Sequence, residues 1–195
     1  MRDRIRFGAL LLVGGRSTRM GQDKALLPLG QEPMLLRLAG QLTDFDERLL
    51  SAGTAPRESL PGFRTVQDRY PGAGPLAGLH AALSETEADA LLTVPCDLPY
   101  FTAEAARVIV SAFSPEVDAL LCRDGTGRLH PLSGVYARHC LPVIEAQLSR
   151  GQYRMGALFQ VLNCAVLDTA PFLPDTVFFN MNTPDDYRSV RSTYL

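Results

Sequence analysis

Residues 7–25 read FGALLLVGGRSTRMGQDKA. The apolar run from Phe7 to Val13 predicts a buried first strand. The chain then breaks into a loop carrying Gly14, Gly15 and Gly21 together with Arg16, Arg19 and Lys24. Glycines let backbone approach a ligand closely and leave N–H donors unobstructed. Arginine and lysine add charge-assisted bonds to phosphate oxygens. The chemistry implied is a cradle for nucleotide phosphates; the plainer alternative is a glycine turn with solvated arginines. Two common phosphate fingerprints do not fit. Lys24 is preceded by Asp23 and followed by Ala25, so there is no Gly-Lys-Ser/Thr, and the glycine spacing is not G-x-G-x-x-G.

Asp97 is the second candidate. It stands between Pro95 and Pro99 after the apolar run Ala90 to Val94. A carboxylate held at a strand end is a hard-oxygen ligand of the kind Mg²⁺ takes, with water and phosphate oxygens completing the shell. The alternative is an Asx turn without a metal. Asp68 precedes Gly72-Ala73-Gly74-Pro75 and is placed to accept from a ribose hydroxyl or a base N–H, or to begin a tight loop. Arg123, Asp124, Arg128 and His130 cluster around a turn, with His130 either acting on an acceptor or part of a solvated hairpin tip. His80, on an apolar helical face, reads as a satisfied core histidine. Asn180 and Asn182 either bond a ligand or cap the last helix. The segment Arg150-Gly151-Gln152-Tyr153-Arg154 offers cationic and aromatic groups to an anionic, ring-bearing acceptor.

These residues need a frame that gathers them. Leu35, Leu38, Ala39 and Leu42 keep helical spacing, as do Leu76, Leu79, His80 and Leu83. Further helices are expected after Thr102 as N-cap, over Leu141, Ile144 and Leu148, and from Thr183 as N-cap with Pro184 at the first helical position. Strands are expected over 48–52, 63–66, 90–94, 119–122, 132–136, 161–167 and 177–179. The alternation β-α-β-β-α-β-α-β predicts a three-layer α/β/α sandwich with a mostly parallel central sheet. In such sheets ligands sit beyond the carboxyl ends of the strands. The glycine-rich loop, Ser51, Asp68 and Asp97 all follow strands at that end.

The bulk properties agree with one enzyme-sized domain spanning 1–195. The chain has 195 residues, is 46% hydrophobic and 21% charged, and carries a formal charge of −2. That is enough chain to bury a core. Near-neutral charge argues against nucleic-acid or anionic-membrane binding. No apolar run has transmembrane length, and the basic N-terminus leads into a strand rather than a signal peptide. Cys96, Cys122, Cys140 and Cys164 form no C-x-x-C pair, so free thiols in a reducing cytoplasm are expected rather than zinc.

The blocks Gly14-Gly15-x-Ser17-x-Arg19-Met20-Gly21-x-Asp23-Lys24-Ala25, Pro95-Cys96-Asp97-Leu98-Pro99 and Asn180-Met181-Asn182-Thr183-Pro184 resemble the molybdenum cofactor guanylyltransferases, the MobA family. Asp68 with Gly74-Pro75-Leu76-Ala77-Gly78, and His130-Pro131, fit the same pattern in the same order. The resemblance implies a Rossmann-like nucleotidyltransferase fold. It implies transfer of GMP from GTP to the phosphate of molybdopterin-bound molybdenum, with Mg²⁺ as cofactor and pyrophosphate released. It further implies a cytoplasmic monomer or weak oligomer, with molybdenum-insertion proteins or target molybdoenzymes as protein partners. By position, Leu12, Val13 and Gly14 would face guanine and ribose, Lys24 the phosphates, Asp68 the nucleoside, and Asp97 the Mg²⁺ and triphosphate. Lys24, Arg19 and Asp97 form the expected catalytic set. Gly15 and Ser51 complete the nucleotide site, and Arg154, His130, Asn180 and Asn182 are the acceptor-side candidates. Two positions depart from the family: Val13 replaces an alanine, and Ser51 stands where an asparagine usually touches the nucleotide.

Nucleotidyl transfer needs in-line positioning and charge cancellation more than covalent help. An acceptor phosphate is already ionised, which accounts for the lack of a Ser-His-Asp or Cys-His set. The competing readings are a CTP-dependent molybdopterin cytidylyltransferase, a sugar-1-phosphate nucleotidyltransferase and a non-catalytic nucleotide-binding module.

Overall fold

The computed structural model describes residues 5–13, 24–53 and 59–194. The strands are β1 (Phe7–Leu12), β2 (Pro28–Leu29), β3 (Glu32–Pro33), β4 (Glu47–Ser51), β5 (Arg64–Val66), β6 (Ala90–Pro95), β7 (Ala119–Arg123), β8 (Leu129–Ala137) and β9 (Cys164–Asp168). The helices are α1 (Met34–Gly40), α2 (Pro75–Glu85), α3 (Ala103–Ser111), α4 (Leu141–Ser149), α5 (Met155–Leu158) and α6 (Pro184–Thr193). Seven strands form one sheet in the order β5-β4-β1-β6-β8-β7-β9. Only β8 runs against its neighbours, so the sheet is mixed and mostly parallel.

Alternation along the central strands explains the three layers. Ala9, Leu11 and Val13 face the side covered by α1, α3 and α6, with Ala90, Leu92 and Val94 of β6 beside them. Leu10, Leu12 and Leu91 face the opposite side, under α2, α4 and α5. A strand covered on both faces carries a continuous apolar run, which is how β1 and β6 read. Each leucine buried this way stabilises the fold by roughly 1.5–3 kcal/mol. The polar Thr93 is tolerated in the centre of β6 because its hydroxyl donates to the Gly134 carbonyl at 3.1 Å.

Caps set the helix starts. Thr102 accepts from the Ala105 N–H at 3.1 Å and begins α3 as expected. Thr183 and Asp186 form a reciprocal capping box around Pro184 at the start of α6.

Several elements differ from expectation. The run 177–179 is a 3₁₀ turn, Asp175–Phe178, and not a strand. Val177 and Phe178 are buried in the core on the α3 side, so their apolar character reflects packing rather than pairing. The strand expected from Val161 begins at Cys164, because residues 155–162 are taken by α5 and the turn that closes it, leaving Val161 exposed. The short β2–β3 hairpin and α5 carry too few residues to show a period.

His80 is a core residue, but not a satisfied one. It is 1% exposed, its Nδ1 has no hydrogen-bond partner, and its Nε2 lies 4.0 Å from a Glu145 carboxylate oxygen. Burial lowers its pKa, opposed in part by the Glu145 charge. None of the four cysteines is in a disulfide; burial pushes the Cys122 and Cys140 thiols up to about 12.

Candidate active site

The register of the parallel strands lines up their carboxyl ends. Leu12 pairs with Ser51 on one side and Pro95 on the other, and Ser51 pairs with Val66. The chain therefore leaves the sheet at one level in four places. Beyond that edge lies a cavity of about 240 Å³ bordered by Leu12, Ser51, Asp68, Gly74, Cys96 and Asp97. Residues more than eighty positions apart in sequence meet there because strand order, not sequence order, sets proximity.

One wall is an acid–hydroxyl pair. The Ser51 hydroxyl, 3% exposed, donates to Asp68 Oδ1 at 3.1 Å. Burial raises the Asp68 pKa, and the Ser51 bond offsets part of that rise. α2 crosses close to this pair at Gly78, where an added Cβ would collide with the Ser51 hydroxyl and crowd Leu12. At the start of α2, Gly74 has φ 67° and ψ −150°, a backbone region open essentially to glycine alone. Gly74 therefore turns the chain sharply enough to bring the α2 N-terminus to the cavity wall.

Asp97 also borders the cavity, after β6 on the other side of β1 from β4 and β5. Its Oδ1 is buried with no hydrogen-bond partner. Burial raises its pKa, and the Lys24 charge pulls the other way. A buried carboxylate oxygen left unpaired costs the fold free energy, which a bound cation would offset. Among the described residues no group of three or more His, Cys, Asp and Glu converges. Asp97 would hold a divalent cation as one of the one or two carboxylates that Mg²⁺ takes at nucleotide phosphates.

Lys24 begins a 3₁₀ turn, Lys24–Leu26, and its Nζ donates to Asn182 Oδ1 at 2.6 Å. Asn182 is in turn fixed by α6: Asp186 accepts from the N–H groups of Asn182 and Thr183, each at 2.8 Å. Those bonds, led by the Asn182 N–H, hold the Asp186 carboxyl below its ordinary range against a smaller opposing effect of burial, with Lys24 adding to the lowering. One residue earlier, the Met181 N–H donates to the Asp97 carbonyl at 2.8 Å. The loop before α6 thus ties Lys24 to Asp97.

The remaining candidates fall in different places. The Val13 N–H donates to the Ser51 carbonyl at 2.7 Å, and its side chain is buried on the α3 side rather than in the cavity. The Asn180 amide donates to the Phe178 carbonyl at 3.0 Å, within its own loop. Arg154 is exposed at the start of α5 and does not border the cavity. His130 is not on a solvated hairpin tip. It is 7% exposed, its Nε2 lies 2.7 Å from Asp124 Oδ2, and its ring stacks on Phe178 with centroids 4.6 Å apart. Gly14, Gly15 and Arg19 lie outside the described residues.

Sequence reasoning missed two contributors. Asp186 was legible, because Thr183-x-x-Asp186 is a capping-box spacing. Leu132, which reaches the cavity from β8, carried no signal; its position follows from the antiparallel pairing of β8 with β6.

Comparison with known proteins agrees with this geometry. The profile of the MobA-like NTP transferase domain matches residues 9–167. A probable molybdenum cofactor guanylyltransferase of Pelotomaculum thermopropionicum is 37% identical over 187 residues, covering 93% of this chain and 90% of that protein. The crystal structure of molybdopterin-guanine dinucleotide biosynthesis protein A from Archaeoglobus fulgidus superposes with a TM-score of 0.80 at 21% identity, covering 95% of this chain and 97% of that one. A Mycobacterium tuberculosis protein solved in complex with manganese has the same fold, with a TM-score of 0.65 at 21% identity over 96% of this chain and 98% of that one. With a family profile matched from β1 to β9 and a relative 37% identical over nearly the whole chain, the chain belongs to the MobA-like NTP transferases.

Proposed function

We propose that this protein transfers GMP from GTP to the phosphate of molybdopterin-bound molybdenum, releasing pyrophosphate and leaving the guanine dinucleotide cofactor. The observation that carries the reading is the buried, unpaired Oδ1 of Asp97 in the lining of the cavity that Ser51 and Asp68 also border, with the Lys24 charge acting on it. The names of the relatives supply the substrates.

The chain's own residues divide the work. Ser51 and Asp68 bind the nucleoside. Lys24, aimed by Asn182, offsets negative charge on the triphosphate as pyrophosphate departs. Arg19 and the backbone of Gly14 and Gly15 complete the phosphate cradle. Asp97 would hold Mg²⁺, which when bound shields the α-phosphate and the leaving pyrophosphate. The acceptor phosphate is an ionised nucleophile, so the protein supplies alignment rather than a strong base. Residues 1–195 act as one cytoplasmic nucleotidyltransferase unit. Its N-terminal part takes the nucleotide. Its C-terminal part takes the acceptor, with Arg154 and Asn180 on that side.

The test is pyrophosphate release with GTP, CTP and ATP in turn, each with Mg²⁺ and a molybdopterin-bearing acceptor. Release with GTP alone, and only with acceptor present, is expected. Release with CTP would transfer the assignment to a cytidylyltransferase. A folded protein giving no release with any of the three would exclude both.

A further inference from the structure

The turn between β7 and β8 is built around one carboxylate. Asp124 Oδ1 accepts from the Thr126 N–H at 2.9 Å, the Thr126 hydroxyl at 2.6 Å and the Arg128 N–H at 3.0 Å, while Oδ2 faces His130 Nε2. Burial works against the charge, but these bonds, with the Thr126 hydroxyl and His130 foremost, hold the Asp124 carboxyl far below its ordinary range. A carboxylate that stays ionised can only accept, so His130 Nε2 carries the proton and donates. The imidazole is thereby held in one orientation.

That fixed ring is a platform. Phe178 lies on it with an interplanar angle of 19°. Phe178 opens the segment whose next residues make the contacts described above: Asn180 to the Phe178 carbonyl, Met181 to the Asp97 carbonyl, Asn182 to Lys24. The same turn grips the segment a second time, where the Gly125 N–H donates to Asp175 Oδ1 at 2.7 Å. The β7–β8 turn, through Gly125, and the start of β8, through His130, thus support residues 175–182 at two points, and those residues tie Lys24 to Asp97.

We propose that His130, locked by Asp124, is a positioning residue: its ring face seats Phe178 and so sets the placement of Asn182, Lys24 and Asp97 for transfer. The proposal rests on the guanylyl-transfer reading for its kinetic arm and on geometry alone for its structural arm.

The experiment compares wild type, His130→Ala and His130→Phe in hydrogen exchange at the Met181 amide, GTP dissociation constant without acceptor, and steady-state transfer. In His130→Ala, Met181 exchange is expected to accelerate at least tenfold and kcat to fall about tenfold, with GTP affinity within threefold of wild type and the fold retained by thermal melting. His130→Phe keeps an aromatic face without the Asp124 bond and is expected to recover exchange protection and kcat to within threefold. Phe178→Leu removes the stacked face from the other side and should match His130→Ala, which keeps the question decidable if His130→Ala is insoluble. Wild-type exchange and kcat in His130→Ala or Phe178→Leu would overturn the proposal, as would a His130→Phe protein no better than His130→Ala. A wild-type chain without transfer activity would overturn the proposed function instead, and Met181 exchange would then decide the positioning role alone.

Discussion

Lys24 and Asn182, 158 residues apart in sequence, meet at 2.6 Å through the lysine ammonium and the asparagine side-chain carbonyl. The pair is anchored to the site, because Asn182 is fixed by α6 and its neighbour Met181 is bonded to Asp97. Hydrogen bonds to charged groups contribute about 1.5–3 kcal/mol, so Asn182 aims Lys24 rather than merely touching it. Asn182→Ala is expected to lower kcat about tenfold, since each 1.36 kcal/mol of barrier is tenfold in rate. GTP affinity should stay within threefold. Steady-state kinetics with titration calorimetry would read both, and an unchanged kcat would refute the aiming role.

Asp97 sets function against stability. Its Oδ1 is buried and unpaired, and burial raises its pKa. Asp97→Asn should therefore abolish turnover while stabilising the ligand-free protein by roughly 0.5–2 kcal/mol at neutral pH. The pH dependence has a definite sign. With the folded pKa raised, the native state holds the proton that the unfolded state releases, so wild-type stability falls as pH rises through that window. The gap between variant and wild type should close below about pH 4, near the unfolded carboxyl value, and open fully above the folded pKa. Denaturant titrations at several pH values would measure it.

Gly78 transmits strain to the nucleoside wall. An alanine there would drive its Cβ into the Ser51 hydroxyl and against Leu12. Ser51 must then release Asp68. Gly78→Ala is expected to weaken GTP binding at least tenfold. Overpacking of this kind typically costs about 1–3 kcal/mol of stability. Calorimetric binding and thermal melting would separate the two effects.

His80 makes the fold sensitive to acid. Burial lowers its pKa while Glu145 and Arg69 act in opposite senses on it, and the Tyr70 ring meets its edge at 5.1 Å. With the folded pKa depressed, the unfolded chain takes up a proton first. Stability is therefore present above about pH 6.5, the unperturbed histidine value, and declines as pH falls below it. His80→Leu should melt with a smaller loss between pH 7.5 and 5.5 than wild type does, in scanning calorimetry.

The fold was legible where burial and period coincide. β1 and β6 announce themselves as unbroken apolar runs because both faces are covered. The caps Thr102 and Thr183 mark α3 and α6 by residue type alone. The run 177–179 misleads because apolar residues also serve a buried 3₁₀ turn. In the site, Asp68, Asp97, Ser51 and Lys24 were legible from their places after strands or in the glycine-rich block. The partnerships among them were not. The Lys24–Asn182 bond and the His130–Phe178 stack depend on how α6 and the β7–β8 turn close over the sheet, and long-range packing of that kind leaves no local period.

The central claim is that Asp97 and Lys24 serve phosphoryl chemistry at the mouth of this cavity. The most direct measurement follows label from the α-phosphate of GTP into a molybdopterin dinucleotide, with wild type, Asp97→Asn and Lys24→Ala side by side. The account predicts labelled dinucleotide from wild type, loss of at least a hundredfold in both variants, and a smaller change in GTP affinity for Asp97→Asn than in its rate, as expected of a group that works mainly in the transition state. Undiminished labelled product from Asp97→Asn and Lys24→Ala, both folded, would contradict it.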